Sequence, residues 1–337
     1  MTMRTVAIDV MGGDHGPAVT VPAALQSLSR DPLLHLLLVG RQEQITPFLR
    51  DVPAALHERL QTVDARDVVA MDERPSVALR SRKPSSMWLA IECVQSGRAQ
   101  ACVSAGNTGA LMVIGRHLLK MVAGIDRPAI ITQIPTATGH CHLLDLGANV
   151  ALTSEHLHQF AIMGSVAAAA MDGLEAPRVG LLNIGEEEIK GNEQIKLASQ
   201  LIRENARLNY IGYIEGDDIF RGAADVVVCD GFVGNVAIKT SEGLAELIDQ
   251  RLNAAFRANI LSRFVGLLAW PILRRLRRQI DPGRYNGATL LGLQGILVKS
   301  HGDADVDGFR QAIEVAVREV DSDVPQQIHR MLEATLA

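Results

Sequence analysis

Five short stretches of this sequence combine glycine with asparagine, aspartate or small hydroxyl residues. They are Gly12-Gly13-Asp14-His15, Ser104-Ala105-Gly106-Asn107-Thr108-Gly109, Asp145-Leu146-Gly147-Ala148-Asn149, Asn183-Ile184-Gly185-Glu186 and Asp230-Gly231-Phe232-Val233-Gly234-Asn235. Glycine lets a backbone approach a ligand closely, and the free N–H groups at a helix start favour an anion. Any one of these stretches reads equally well as an ordinary helix cap; five together point to an anion site. The stretch Ser104–Gly109 is the best placed, because a helical pattern over 110–121 follows at once. Cations stand nearby in sequence: Arg82 and Lys83 before Ser85, Lys190 after three glutamates, Lys239 after Asn235, and Lys299 with His301. For Lys190 a solvated surface position is the ordinary alternative, and for His15 a capping role beside Asp14. Lys299 and His301 are two apart on a strand that turns at Gly302, which places them on one side.

Several chemistries lack their residues. No G-x-G-x-x-G follows the first strand, and no G-x-x-x-x-G-K-[ST], G-x-S-x-G or H-E-x-x-H occurs. Neither a nucleotide cofactor nor a protein nucleophile is indicated. His140 and His142 flank Cys141, a spacing that suits a strand edge better than a metal site. His156 and His158 point different ways on a helix and read as surface residues. The four cysteines are scattered beside apolar runs without ligand spacing, as reduced packing residues of a cytoplasmic protein would be.

The elements that must carry these loops alternate between short aliphatic runs and longer helical patterns. Strands are expected at 5–10, 35–39, 60–63, 101–104, 129–134, 142–146, 179–184, 210–214, 226–229 and 296–299. Most end in glycine, asparagine or aspartate and lead into a helix. That rhythm predicts a three-layer α/β/α, doubly wound and mostly parallel sheet, whose ligands gather at the carboxyl ends of the strands. With 337 residues, 47% hydrophobic and only 4% aromatic, the chain suits parallel strands under close-packed helices. No linker divides it, so residues 1–337 are expected to form one domain. The net charge of −5 carries no nucleic-acid signature. The opening residues enter a strand pattern immediately, which leaves no room for a signal peptide, and no apolar run reaches spanning length.

One segment breaks the rhythm. From Arg257 to Ile280 there are six arginines and no acidic residue. Ile260, Phe264, Leu267 and Leu268 fall on one helical face, and Pro271 is expected to end or kink that helix. A protruding amphipathic helical excursion is expected over 241–285. Its apolar face (Phe264, Leu267, Leu268) and its basic residues (Arg274, Arg275, Arg277, Arg278) suit an anionic membrane surface or an acidic carrier protein, with a dimer interface as the alternative.

Taken together, the strings IDVMGGDHGP (8–17), SAGNTGALM (104–112), GIDRPAI (124–130) and LDLGANV (144–150) resemble the bacterial phosphate acyltransferases, the acyl-ACP:orthophosphate transacylases. So do RVGLLNIGEEEIKGNEQIK (178–196), DVVVCDGFVGNVAIKTSEG (225–243) and ATLLGLQGILVKSHG (288–302). The resemblance runs end to end. Departures are Asp217, where arginine is more usual, Asp303, where serine is more usual, and Pro84 in a stretch that is commonly more polar. The resemblance implies one α/β/α domain, a homodimer, no metal and no cofactor. It also implies transfer of a fatty acyl group from acyl carrier protein to inorganic phosphate. The product, an acyl phosphate, then feeds a membrane glycerol-3-phosphate acyltransferase for phospholipid synthesis. A dehydrogenase of related fold and a non-catalytic, membrane-associated scaffold are the alternatives.

Phosphate attacking a thioester needs positioning and stabilisation of a tetrahedral oxyanion rather than a protein nucleophile. Phosphate binding is assigned to Gly12, Gly13, Ser104, Gly106, Thr108, Gly109 and Lys190. His301, His15, Lys239 and Asn107 are the expected catalytic donors or proton shuttles, with Asp14, Glu186 and Asn235 orienting them.

Overall fold

The structure, a computed structural model, describes residues 3–280 and 285–336. Its strands are β1 (Arg4–Asp9), β2 (Leu34–Gly40), β3 (Leu60–Asp64), β4 (Ala101–Ser104), β5 (Ala129–Thr136) and β6 (Gly139–Leu144). They continue with β7 (Arg178–Leu182), β8 (Asn209–Ile214), β9 (Val226–Val228), β10 (Ala288–Leu291) and β11 (Ile296–Lys299). The helices are α1 (Pro17–Arg30), α2 (Gln42–Leu49), α3 (Ala54–His57), α4 (Pro75–Ser81), α5 (Ser86–Gln95), α6 (Thr108–Leu119) and α7 (Ser154–Asp172). After them come α8 (Glu193–Glu204), α9 (Gly216–Arg221), α10 (Gly231–Arg257), α11 (Ile260–Ile280), α12 (Val306–Ser322) and α13 (Val324–Leu336).

All eleven strands join one sheet in the order β3-β2-β1-β4-β11-β10-β5-β6-β9-β7-β8. Alternation along each strand feeds two apolar layers. In the first half, Val6, Ile8 and Val10 pack with Leu36, Leu38 and Phe309 against α1 and α12. Ala7, Leu37 and Cys102 face the other way, onto Met87, Ile91 and Leu111 of α5 and α6. In the second half, α7 covers β6 and β9 through Phe160, Ala161 and Met163. Leu143 and Val227 face the opposite layer, with Ile219 of α9. Each such fully buried large side chain contributes roughly 1.5–3 kcal/mol of transfer free energy. All four cysteines are buried thiols inside these layers.

The α/β/α sheet is as expected, but its centre is not parallel. β10 runs against both β11 and β5, and β5 runs against β6. Two parallel blocks, β3-β2-β1-β4-β11 and β6-β9-β7-β8, therefore point in opposite directions. Register brings their ends together. Ile131 pairs with Leu144 on one side and Thr289 on the other, while the neighbouring Ala288 pairs with Lys299. The last residues of β6 and β11 thus stand within about one residue step along the sheet and about 14 Å apart across it, three strand spacings.

Two expectations need correction. β10 was not anticipated, because its apolar residues run on through Leu293 to Ile296, broken only by Gly292, Gln294 and Gly295, so that two strands read as one segment. Pro271 lies inside α11 and does not end it. The break falls earlier, at Ala258–Asn259, where Asn259 caps α11 by accepting the Ser262 N–H at 2.8 Å. The expected excursion over 241–285 takes in the later part of α10, which begins at Gly231 and runs unbroken for 27 residues, and all of α11; residues 281–284 of it lie outside the described residues.

Two glycines let α10 settle onto the loop after β6. A Cβ on Gly234 would come within 2.0 Å of the Asp145 carbonyl oxygen, and one on Gly231 within 2.6 Å of the Asn149 carbonyl oxygen. Backbone cannot yield as a side-chain tip can. Gly234→Ala is expected to lower stability by about 1–3 kcal/mol, read from the urea midpoint; an unchanged midpoint would mean that α10 does not rest on this loop.

Candidate active site

The last residues of three adjacent strands form one row. Asp9 of β1 pairs in register with Ser104 of β4, which pairs with Lys299 of β11. By alternation all three face the α5/α6 side, as Ala7, Cys102 and Leu297 do. Ser104 Oγ donates to Asp9 Oδ2 at 2.6 Å and accepts from the Gly106 N–H at 3.0 Å. Burial pushes the Asp9 carboxyl up, opposed by the Ser104 and Ser86 hydroxyls and the N–H groups of Met11 and Gly12. Its Oδ1 has no partner among the described residues. Lys299 Nζ donates to the carbonyls of Ala105, at 3.2 Å, and Ser300. Burial lowers this ammonium to about 8, opposed by Asp14 and Asp9 and assisted by Lys239.

The loops after these strands interlock through missing side chains. A Cβ on Gly12 would lie 2.7 Å from the Gly106 nitrogen and 2.8 Å from Asp9 Oδ2. Gly13 adopts φ of 86°, and a Cβ there would lie 2.9 Å from the Gly302 carbonyl oxygen. The Asp14 N–H donates to that same carbonyl at 2.8 Å, tying the loop after β1 to the loop after β11. Gly12, Gly13 and Gly106 are thus close-approach positions around the carboxylate row.

Around the mouth stand charged groups from several elements. His301 is held through its backbone N–H, which donates to Asn286 Oδ1 at 2.9 Å. Its Nδ1 meets Asp303, and its Nε2 lies 3.5 Å from Lys239 Nζ. A carboxylate at Nδ1 favours the proton there, leaving Nε2 as an acceptor that faces Lys239; this tautomer is assigned from the partners. Lys239 also donates to Glu242 at 2.7 Å. Four residues back on the same face of α10, Asn235 lies against Gly147. One helix face therefore links the loops of the two opposed sheet blocks.

Asn107 is fully employed in building the site. Its Oδ1 caps α6 by accepting the Ala110 N–H at 2.9 Å, and its Nδ2 donates to the Met71 and Glu73 carbonyls at 2.7 and 3.0 Å. Thr108 and Gly109 occupy the first turn of α6, where helix geometry leaves N–H groups without an intrahelical acceptor. His15 and Asp14 are exposed on the loop after β1. Glu186 and Lys190 are exposed on the loop after β7, in the other strand block. Among the described residues no contact joins either of them to Lys239, His301 or Lys299. Arg82 pairs with Glu73 at 2.9 Å, and Lys83 lies over the Trp88 ring. Asp145, central to one of the five loops, is a scaffold. Its two oxygens accept from the N–H groups of Ile130, Ala148 and Asn149 and from the Asn149 amide, at 2.7–3.2 Å.

Lys299 is legible in the sequence, but its place next to Ser104, in one row with Asp9, comes from strand register alone. A signal for Asp9 was present in the apolar alternation of β1, which ends on a carboxylate facing the same way as Ala7. The partner across the strand gap was not legible. Asp303, treated as a departure from a family pattern, is the group that holds His301.

A ring of two lysines, an oriented imidazole and a helix start, built over a buried carboxylate–hydroxyl pair, can hold an anion against a second reactant. A protein-family model described as "Fatty acid synthesis protein" matches residues 4–327. The chain is 58% identical over 332 residues to a phosphate acyltransferase of Halorhodospira halophila, covering 98% of this chain and 97% of that relative. It is 54% identical over 336 residues to a phosphate acyltransferase of Pseudomonas aeruginosa, covering 100% of both. In fold it is similar to a phosphotransacetylase from Streptococcus pyogenes, with a TM-score of 0.64 and 16% identity over 95% of this chain and 94% of that one. The EutD phosphotransacetylase from Staphylococcus aureus gives a TM-score of 0.62 and 14% identity, with 94% of each chain covered. Neither a dehydrogenase nor a non-catalytic scaffold is favoured by the full-length relatives. With a family model that matches residues 4–327 and full-length relatives at 54–58% identity, the chain belongs to the phosphate acyltransferases and is an acyltransferase.

Proposed function

We propose that this enzyme transfers a fatty acyl group from the thioester of acyl carrier protein to inorganic phosphate, releasing acyl phosphate for phospholipid synthesis. The observation that carries this reading is the meeting of Lys299, Lys239 and His301 at the mouth of the Asp9–Ser104 row, beside the start of α6. A phosphate oxygen attacks the thioester carbon, the C–S bond breaks, and the proton that hydrogen phosphate loses ends on the thiol sulfur. The backbone at Gly12, Gly13, Gly106, Thr108 and Gly109, with Ser104 and Lys239, holds phosphate. Lys299, as an ammonium that titrates near 8, supplies the proton or steadies the oxyanion. Charge-assisted hydrogen bonds of this kind contribute about 1.5–3 kcal/mol each. His301 and His15 remain shuttle candidates, with Asp14 and Asn235 as orienting groups; Lys190 and Glu186 act on the opposite rim in this reading.

The same reading includes a membrane contact. Among the described residues no helix is long and apolar enough to cross a membrane. Yet Ile260, Phe264, Leu267 and Leu268 of α11 are 60–86% exposed, on a helix whose main packing partner is α10. Arg274 is exposed beside them, while the side chains of Arg275, Arg277 and Arg278 lie outside the described residues. This apolar and basic hairpin supports peripheral docking on anionic lipid, close to the membrane glycerol-3-phosphate acyltransferase that would consume a reactive acyl phosphate. The family resemblance supports a cytoplasmic homodimer.

Four outcomes test this reading. Purified protein given palmitoyl-acyl carrier protein and phosphate should form acyl phosphate, trapped with hydroxylamine. In Lys239→Ala the KM for phosphate should rise about tenfold, with that for the acyl donor little changed; equal effects on both would remove Lys239 from the phosphate side. With the Lys299 ammonium as donor, kcat/KM should fall as pH rises through about 8, the ammonium losing its proton. Lys299→Met should abolish that limb and cost about 10²–10⁴-fold in rate; an intact limb in this variant would assign the donor elsewhere. Finally, the protein should sediment with anionic vesicles, less so as salt rises, and Phe264→Glu or Leu268→Glu should prevent it. Loss of self-association in those variants, with wild type indifferent to vesicles, would make the apolar face an interface between copies.

A further inference from the structure

A second cluster of chemically able side chains lies on the far side of β6. Strand alternation puts His140 and His142 on the face covered by α7, and Asp172 is the last residue of that helix, just before the left-handed cap at Gly173. Asp172 Oδ2 receives both imidazoles, His140 Nε2 at 3.0 Å and His142 Nε2 at 2.7 Å. One ligand atom from each residue lies within 4.8 Å of the other two. The His142 side chain is 2% exposed, that of Asp172 16% and that of His140 32%, so the group is sheltered yet reachable.

A carboxylate at a helix C-terminus faces the negative end of the helix dipole and is disfavoured there without a cation. Asp225 adds to the negative field that Asp172 belongs to, although it is itself paired with Arg178 at 2.8 Å. Two imidazoles aimed at one carboxylate oxygen converge much as ligands converge on a metal. Zinc held at about 2.0–2.2 Å by each atom would require these nitrogen–oxygen separations to open by a few tenths of an ångström. Two imidazoles and one carboxylate suit zinc-class transition metals and not magnesium or calcium.

We propose that His140, His142 and Asp172 form a binding site for a divalent transition metal of the zinc class, separate from the acyl-transfer site. The ion joins the start of β6 to the end of α7, bracing the strand that leads directly into the Asp145 loop beneath α10.

Full-length protein freed of any histidine tag and stripped with chelator should take up one equivalent of Zn²⁺ in competition with a chromophoric chelator. Co²⁺ should give visible ligand-field bands at the same stoichiometry. Asp172→Asn and His140→Ala should each weaken Zn²⁺ binding at least about tenfold, and the zinc-dependent rise in unfolding temperature should vanish in both. His140→Ala alters the most exposed member and keeps the test open should Asp172→Asn fold poorly. Absence of a tight equivalent in wild type, or undiminished binding in His140→Ala, would overturn the site and leave the cluster as an ion pair.

Discussion

The two antiparallel pairings on either side of β10, with the third between β5 and β6, are what the rest of this molecule depends on. A wholly parallel sheet would send every strand-end loop to one edge. Here the reversal sends them two ways, and register decides whether they can cooperate. Because Leu144 and Lys299 end at nearly the same level, the loop that begins at Asp145 and the loop that holds His301 are close enough for one helix to touch both. α10 does so with residues one turn apart, Asn235 at Gly147 and Lys239 at His301. The glycines at 231 and 234 are needed because the helix must press against backbone to reach both.

Electrostatics in the site follow from where water is excluded. Asp9 is enclosed at the start of α5, where hydroxyl and backbone donors compensate part of its burial. Its attraction helps to keep Lys299 a cation despite enclosure, while Lys239 nearby pulls the other way. The outcome is an ammonium poised near the pH at which a thiol and a phosphate also exchange protons. The outer lysine, with Glu242 and His301 as partners, remains solvated, so it can meet an incoming anion without a large desolvation cost.

Most strands were legible in the sequence: β4 and β11 were anticipated at their observed bounds and the others, β10 apart, to within a few residues. Hydrophobic period specifies which residues are inside but not which strand lies beside which. Asp9, Ser104 and Lys299 are 95 and 195 residues apart, and only the register makes them neighbours. For the same reason Lys190 and Lys239 looked equivalent as cations following glycine-rich loops, while the reversal places them in different settings. Asn107 illustrates a different limit. Its side chain type suits an anion donor and a helix cap equally, and only the positions of the Met71 and Glu73 carbonyls show it committed to structure. Pro271 does not end α11, because helix breaking is a local preference and an exposed helix can lose one N–H donor without ending.

The length of α10 has a mechanical side. As a single rod of 27 residues it spans about 40 Å, with Lys239 about 12 Å from its start. Clamped at its first turn against the Asp145 and Asn149 carbonyls, it behaves as a lever with unequal arms. A tilt of about 5° that carries the far end some 3–4 Å shifts Lys239 by only about 1 Å. That is still enough to make or break a contact with His301 now at 3.5 Å. The position of the distant hairpin and the spacing of Lys239 from His301 are therefore one geometric variable.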